Sequence, residues 1–112
     1  MNIINTTTNK IIAENARLYK SVIMQSLGLI GRTKAVPLIF DLKKEKQQSI
    51  HMGFVFCSID VLFLNKNKKI VEIKKNLKSF RMYFQKEKAQ YIVELPAGSA
   101  SQSRIGHTVS FK

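Results

Sequence analysis

The stretch at residues 50–73, IHMGFVFCSIDVLFLNKNKKIVEI, constrains the fold of this chain most, because two apolar runs flank a short polar tip at residues 65–68. Branched and aromatic side chains suit a pleated, half-buried surface better than a helix. The stretch therefore predicts a β-hairpin at the centre of a β-rich domain. From Met52 onward both odd and even positions are apolar, so we expect the first strand to be covered on both faces.

Other short segments show the alternation and the turn boundaries that are typical of strands. They lie at residues 10–13, 33–42, 69–73, 80–84, 91–95 and 107–111, with polar turns at 43–49 and 74–76 and a short edge strand or lead-in at 1–8. In the segment at 33–42, Leu38 and Phe40 fall on one face and Ile39 falls on the other. Met82 and Phe84 alternate with Tyr83, which predicts a strand with one wet face.

A single helix is predicted at residues 17–27, where Leu18, Val22 and Ile23 have helical spacing and Gly28 follows as a helix end. Strand signals about every ten residues describe an antiparallel sandwich or a small barrel. The predicted fold is therefore mainly β, an antiparallel sandwich or small barrel with one short N-terminal helix, in a single domain over residues 1–112.

Charge limits the partners that this chain can have. The sequence holds 19 Lys and Arg against 7 Asp and Glu, a formal net charge of +12. Such a domain attracts polyanions or acidic protein surfaces at low salt, although a lysine-rich proteome gives the same imbalance to a bystander. The single Cys57 has no partner and no apolar run is long enough to span a membrane, so we expect a cytoplasmic protein with no membrane contact.

A family resemblance covers the chain from about Leu18 to Lys112. It is carried by GLIGR, PLIFDL, HMGFVF, IDVLFLN, KIVEI, YIVELPAGS and RIGHTVSF, and the sequence resembles the archaeal and bacterial family called domain of unknown function 192. The resemblance implies a compact, mainly β fold with a short helix near the N-terminus and no established activity. At the start of the central apolar run, many members have Trp-Met-Lys-Asn-Thr, whereas this chain has His-Met-Gly-Phe-Val at residues 51–55. Near the C-terminus many members have Gly-Asp, whereas this chain has Gly106 and His107.

Three residues are candidates for catalysis, namely Asp60, Glu94 and His51. Asp60 and Glu94 lie inside apolar strands, and if these strands are neighbours the two carboxyl groups could share a barrel-end pocket in which one has a raised pKa. The alternative for Asp60 is structural, because a buried carboxylate must be paired or hydrogen-bonded and could accept backbone N–H bonds at a bend. Two histidines in the whole chain are too few for a tri-histidine metal site, so no metal or other cofactor is predicted.

Basic residues cluster at residues 66–88, where nine Lys and Arg face two acids. The candidate binding residues are Lys66, Lys68, Lys69, Lys74, Lys75, Lys78 and Arg81. Lysines at hairpin tips and sheet edges also prevent edge strands from pairing with other chains, which is the alternative explanation.

Two functions remain open from the sequence. The first is a non-enzymatic binding module whose basic surface makes weak, nonspecific contacts with nucleic acid or an acidic protein. The second is an enzyme of unknown reaction that uses Asp60, Glu94 and His51. Retention on a polyanion that falls steeply with salt would favour the first, and a deep cleft lined by the three side chains would favour the second.

Overall fold

The computed structural model describes residues 1–20, 36–47, 49–51, 58–78 and 82–112. Ten strands and no helix occur in these ranges. The strands are β1 (Ile3–Asn5), β2 (Lys10–Ala13), β3 (Arg17–Tyr19), β4 (Leu38–Lys46), β5 (Ser49–His51), β6 (Ile59–Leu64), β7 (Ile70–Leu77), β8 (Met82–Phe84), β9 (Ala89–Pro96) and β10 (Val109–Phe111). The prediction of a mainly β fold is confirmed.

The strands form two sheets and a ribbon. The larger sheet has the order β3-β4-β9-β6-β7, and the smaller sheet has the order β10-β1-β2. Strands β5 and β8 pair with each other and form the two-stranded ribbon. In the part of the chain that the structure describes, β3 and β7 are the two edges of the larger sheet and do not pair with each other. The architecture is thus a sandwich rather than a closed barrel.

The predicted hairpin is present at one edge of the larger sheet, where β6 is followed by the edge strand β7. Strands β6 and β7 are antiparallel, with Leu64 opposite Ile70, and the Oδ1 atom of Asn65 accepts the N–H groups of Asn67 at 2.9 Å and Lys69 at 3.0 Å. Every residue of β6 is buried, as expected for a strand covered on both faces. Residues 52–57 of the predicted hairpin stretch lie outside the described residues.

Two apolar clusters occupy the two faces of the larger sheet. The inner core lies between the two sheets and contains Ile3 and Val109 of the smaller sheet packed with Ile39, Leu62 and Leu95 of the larger one. The outer core lies on the opposite face and contains Leu38, Phe40, Val61, Phe63 and Ile92, with Tyr83 of the ribbon packed against it. The predicted division of Leu38 and Phe40 from Ile39 is confirmed.

The prediction of a helix at residues 17–27 is wrong for its first three residues. Arg17–Tyr19 form β3, which pairs in parallel with β4 so that Leu18 lies opposite Ile39. A backbone partner along β4 stabilises the extended conformation there, whatever the local spacing of apolar residues. The same pairing makes the larger sheet mixed rather than purely antiparallel. Residues 21–27 lie outside the described residues.

Two turns predicted from polar composition at 43–49 and 74–76 are strands over residues 43–46 and 74–76. Strand β7 continues through Lys74 and Lys75 to Leu77, with Asn76 at a positive φ of 54° inside a register shift. Strand β4 likewise runs to Lys46 through a register shift, with Lys43 at a positive φ of 68°. Bulges let a polar run remain in a sheet while the strand bends, which composition alone does not reveal.

Strand β8 turns its apolar side chains outward. Met82 and Phe84 are 47% and 70% exposed, whereas Tyr83 packs on the outer core and Gln85 is buried. The wet face of this strand therefore carries its most apolar residues. No helix in the described ranges is long and apolar enough to cross a membrane.

Candidate functional site

Asp60 joins β6 to two other parts of the chain. Its Oδ1 atom accepts the backbone N–H of Asn76 on β7 at 2.9 Å, and its Oδ2 atom accepts those of Gly98 and Ala100 at 2.9 Å each. Both carboxylate oxygens are thus used, and the side chain is 2% exposed. Gly98 has a positive φ of 96°, a conformation that favours glycine and turns the chain back toward Asp60. The backbone-accepting role expected for Asp60 is the one observed.

The segment at 97–108, which we call the C-terminal loop, is held by a second buried group. The Nδ2 atom of Asn5 lies 3.0 Å from Nδ1 of His107 and 3.5 Å from Oγ of Ser103. The backbone N–H of Arg104 also donates to Nδ1 of His107, at 3.2 Å. Because both donors face Nδ1, the ring proton of the neutral imidazole belongs on Nε2. His107 is therefore an acceptor that fixes the loop.

An open groove of about 680 Å³ lies between β7 and the C-terminal loop. Its lining consists of Ile73, Lys74 and Lys75 on one side and Ser103, Arg104 and Ile105 on the other, and no carboxylate belongs to it. The Nη1 atom of Arg104 lies 3.4 Å from the carbonyl oxygens of Ser101 and Ser103, which holds the guanidinium against the loop. The groove combines cations with apolar walls.

The predicted binding lysines divide into two groups. Lys68 and Lys74 are occupied by aromatic rings, with Nζ of Lys68 4.9 Å from the Phe111 centroid and Nζ of Lys74 5.8 Å from the Tyr83 centroid. The others are exposed, namely Lys66, Lys69, Lys75 and Lys78. Arg81 lies outside the described residues. Arg104 and Ile105 were not predicted, and the only sequence signal for them is a cation in a loop bounded by Gly98 and Gly106.

Buried acids leave the surface more basic than the composition suggests. Of the seven acidic residues, Asp60, Glu72 and Glu94 are buried. Glu72 accepts the Tyr83 hydroxyl and the backbone N–H groups of Lys86 at 2.9 Å and Glu87 at 2.8 Å. Burial, together with the hydrogen bond to Glu72 and its charge, raises the pKa of Tyr83 to about 12. These carboxylates serve the interior, so few are left to offset surface cations.

Asp60 and Glu94 lie on opposite faces of the larger sheet. Glu94 is directly opposite Leu38 and Val61, which belong to the outer core, whereas Asp60 is opposite Leu95 of the inner core. Directly opposed residues share a face, so the two carboxyl groups do not share a pocket. Burial raises the pKa of Glu94 to about 8, and no hydrogen bond joins its carboxyl group to another described residue.

The third catalytic candidate, His51, lies in β5 opposite Met82 of β8. Because Asp60 and Glu94 lie on opposite faces of the larger sheet, the structure does not bring these two candidates together. Within the described ranges, no group of three His, Cys, Asp or Glu side chains is placed to hold a metal ion.

These features define a small, mainly β sandwich with a basic, open groove at one edge of its larger sheet. The chain belongs to the DUF192 family, described as "Uncharacterized ACR", whose model matches residues 3–111. The resemblance noted in the sequence is thereby confirmed.

Several archaeal relatives carry the family name UPF0127. The protein from Pyrococcus horikoshii is 37% identical over 98 residues, covering 86% of this chain and 84% of the relative. The protein from Pyrococcus furiosus is 40% identical over 97 residues, covering 85% of this chain and 83% of the relative.

Two solved structures share the fold. A protein of unknown function from Novosphingobium aromaticivorans has a TM-score of 0.84 at 16% identity, covering 98% of this chain and 82% of that one. A protein from Sinorhizobium meliloti, described as a candidate transcription regulator, has a TM-score of 0.82 at 18% identity, covering 97% of this chain and 89% of that one. At these identities the likeness concerns the fold alone.

Proposed function

We propose that this domain is a non-enzymatic binding module that takes an anionic macromolecule on one basic face. The basic face consists of the exposed cations along β7, its hairpin tip and the C-terminal loop, which are Lys66, Lys69, Lys75, Lys78 and Arg104. The observation that carries the proposal is the burial of Asp60, Glu72 and Glu94, which leaves at most four of the seven acids at the surface to offset the exposed lysines and arginines.

The spacing of the basic face favours an extended ligand. A strand rises about 3.3 Å per residue, so the six residues from Lys69 to Lys75 separate these cations by roughly 20 Å. That separation exceeds the Debye length of about 8–10 Å at physiological salt, so the two ends attract charge independently. A long polyanion or an acidic protein surface can contact both ends at once, whereas a small anion contacts one.

The chemistry of the face supports binding rather than catalysis. Asp60 is 2% exposed and both of its carboxylate oxygens accept backbone N–H groups, so the carboxylate is committed to the structure rather than presented to a reacting group. The location that we propose for this binding module is the cytoplasm. The single Cys57 supports this location, because a lone thiol suits a reducing compartment.

Retention on heparin and on duplex DNA at rising salt tests this function. We expect retention at about 50 mM salt and a steep loss as salt rises, because cations that contact phosphates release counterions. The variant Lys66→Gln, Lys69→Gln and Lys75→Gln should flatten the slope of log affinity against log salt by roughly 0.7–0.9 for each lost contact.

The matched control removes three cations from the other edge of the molecule, through Lys10→Gln, Arg17→Gln and Lys20→Gln. Arg17 lies on β3, the edge of the larger sheet opposite β7, and Lys10 lies on β2, an edge strand of the smaller sheet. The control should keep the wild-type slope. Equal slopes for the two variants, or a wild-type protein that is not retained at low salt, would contradict the proposal.

A further inference from the structure

We propose that the groove between β7 and the C-terminal loop is a docking site for an acidic protein segment that inserts an apolar side chain. This inference rests on the proposed function, because it names the partner class for one part of the basic face. The juxtaposition that carries it is Lys75 and Arg104 beside the two isoleucines of the groove.

The lining distinguishes a protein segment from a phosphate backbone. Ile105 is 67% exposed and stands next to Arg104, and Ile73 forms part of the opposite wall. Burying an aliphatic side chain is favourable only if the partner also presents an apolar group. A phosphate backbone presents charge without such a group, whereas a segment with carboxylates around a leucine-like residue satisfies both the cations and the walls.

The groove is fixed before any partner binds. Asp60 ties Asn76 on the β7 side to Gly98 and Ala100 in the loop, and Asn5 ties Ser103 and His107 to β1. Ser103 is 2% exposed, so the base of the groove is buried polar structure rather than a mobile surface. Because the groove is preformed, its own residues need not be ordered when a partner binds, which favours capture of a short segment.

Side chains rather than backbone pairing hold the partner in this arrangement. At the start of β7, the backbone N–H of Ile70 donates to the backbone carbonyl oxygen of His107 at 2.8 Å. The carbonyl oxygen of Ile70 accepts the backbone N–H of Gly106 at 2.9 Å, so the loop covers this part of the sheet edge. Further along, the register shift near Asn76 and the lysines oppose the addition of a strand. The partner therefore lies across the groove.

Fluorescence anisotropy with three labelled probes tests the proposal. The first probe is a dodecapeptide of glutamates with two central leucines, the second is the same peptide with serines for leucines, and the third is a thymidine dodecanucleotide. We expect the leucine peptide to bind about tenfold more tightly than the serine peptide, since one buried aliphatic side chain contributes that much.

Ile105→Ser should weaken the leucine peptide by about tenfold and leave the serine peptide and the oligonucleotide unchanged. Arg104→Gln should weaken both peptides. The matched control is Ile11→Ser, because Ile11 is also an exposed isoleucine, 56% exposed, on β2. The control should bind all three probes like the wild type, and an unchanged unfolding temperature shows that each variant is folded.

The results of these measurements distinguish a failure of the docking site from a failure of the binding module. Equal binding of the two peptides, with no effect of Ile105→Ser, overturns the inference and leaves the binding module intact. Loss of oligonucleotide binding in Ile105→Ser makes nucleic acid the occupant and also overturns the inference. Failure of all three probes to bind at about 50 mM salt overturns both proposals.

Discussion

At the scale of single residues, Asp60 and Glu94 show how one strand register gives two carboxyl groups opposite roles. They lie on neighbouring strands, and each is surrounded by apolar residues. Asp60 faces the C-terminal loop and accepts three backbone N–H groups. Glu94 faces the outer core, where burial raises its pKa to about 8. Glu94 is therefore neutral over much of the acidic and neutral range.

The raised pKa of Glu94 predicts that stability falls as the pH rises. Below its ordinary pKa of 4.5, Glu94 is neutral in both the folded and the unfolded chain. Between 4.5 and about 8 the unfolded chain loses the proton while the folded chain keeps it, so the free energy of unfolding decreases. This contribution to stability is lost as the pH passes through the folded pKa.

Urea unfolding of the wild type and of Glu94→Gln across this pH range measures the effect. Glutamine is neutral at every pH, so the variant should lose less stability than the wild type as the pH rises, and the difference should level off above about pH 8. Glu14→Gln, which alters an exposed acid, should keep the wild-type pH dependence. Parallel curves for the wild type and Glu94→Gln would show that Glu94 titrates normally.

At the scale of elements, the hydrogen bonds of Asp60 connect β6, β7 and the C-terminal loop. Removing the carboxylate leaves three backbone donors without an acceptor, that of Ala100 buried and those of Asn76 and Gly98 partly buried, which costs about 1–3 kcal/mol. We therefore expect Asp60→Ala to lower the free energy of unfolding by that amount. Asp60→Asn should also destabilise, because its amide group places a donor where a backbone donor already points.

Denaturant midpoints measure this loss, and amide hydrogen exchange locates it. The amides of Asn76, Gly98 and Ala100 should exchange faster in both Asp60 variants, while those of β4 keep their relative order of protection. The control is Glu14→Gln, which removes one negative charge and no buried acceptor. A midpoint that does not move in Asp60→Ala would show that water replaces the carboxylate at no cost.

The central elements could be predicted from sequence, because their signals are local. The hairpin of β6 and β7, the division of Leu38 from Ile39 and the hydrogen-bonded role of Asp60 all follow from alternation and burial. Strand β3 could not be predicted, since Leu18 fits a helix by spacing and becomes extended only through pairing with β4. The outward face of β8 is likewise decided by the outer core that Tyr83 reaches.

The groove could not be predicted from the sequence, for a related reason. Its two walls, at Ile73 and at Ile105, come from distant parts of the chain. What brings them together is a set of hydrogen bonds in which Asp60 accepts backbone N–H groups of the loop and Asn5 donates to the Ser103 side chain, and no local pattern reveals these partners. The basic character of β7 was predictable, whereas the cation and the apolar wall that face it were not.

At the scale of the whole molecule, the first and last strands lie side by side. Ile3 of β1 is opposite Phe111 of β10, and the backbone N–H of Lys112 donates to the carbonyl oxygen of Asn2 at 2.9 Å. Together with β2, these strands form the sheet that closes the inner core. The smaller sheet is therefore completed by β10 only after the strands of the larger sheet.

This adjacency predicts that a circular permutant folds. Residues 112 and 1 should be joined by a short Gly-Ser linker of about three to five residues, the length of common hairpin loops. New ends should be opened between Lys66 and Asn67, which are exposed at the hairpin tip. We expect cooperative thermal unfolding and a β-type circular dichroism spectrum.

Opening the chain between Leu62 and Phe63 instead provides the control, because both are fully buried in β6. That permutant should fail to fold cooperatively. If the permutant opened at the tip also fails, adjacency of the two ends is insufficient to define the smaller sheet.

The pairing of β1 with β10 also sets the order of events on the ribosome. Strand β1 leaves the exit tunnel before the strands of the larger sheet, yet one of its two neighbours in the smaller sheet, β10, leaves after them. Until then the inner-core face of Leu62 and Leu95 lacks the cover that Val109 supplies. Nascent chains consequently carry an unfinished, apolar sheet until β10 has left the exit tunnel, so translational pauses before that point prolong the period in which they need a chaperone.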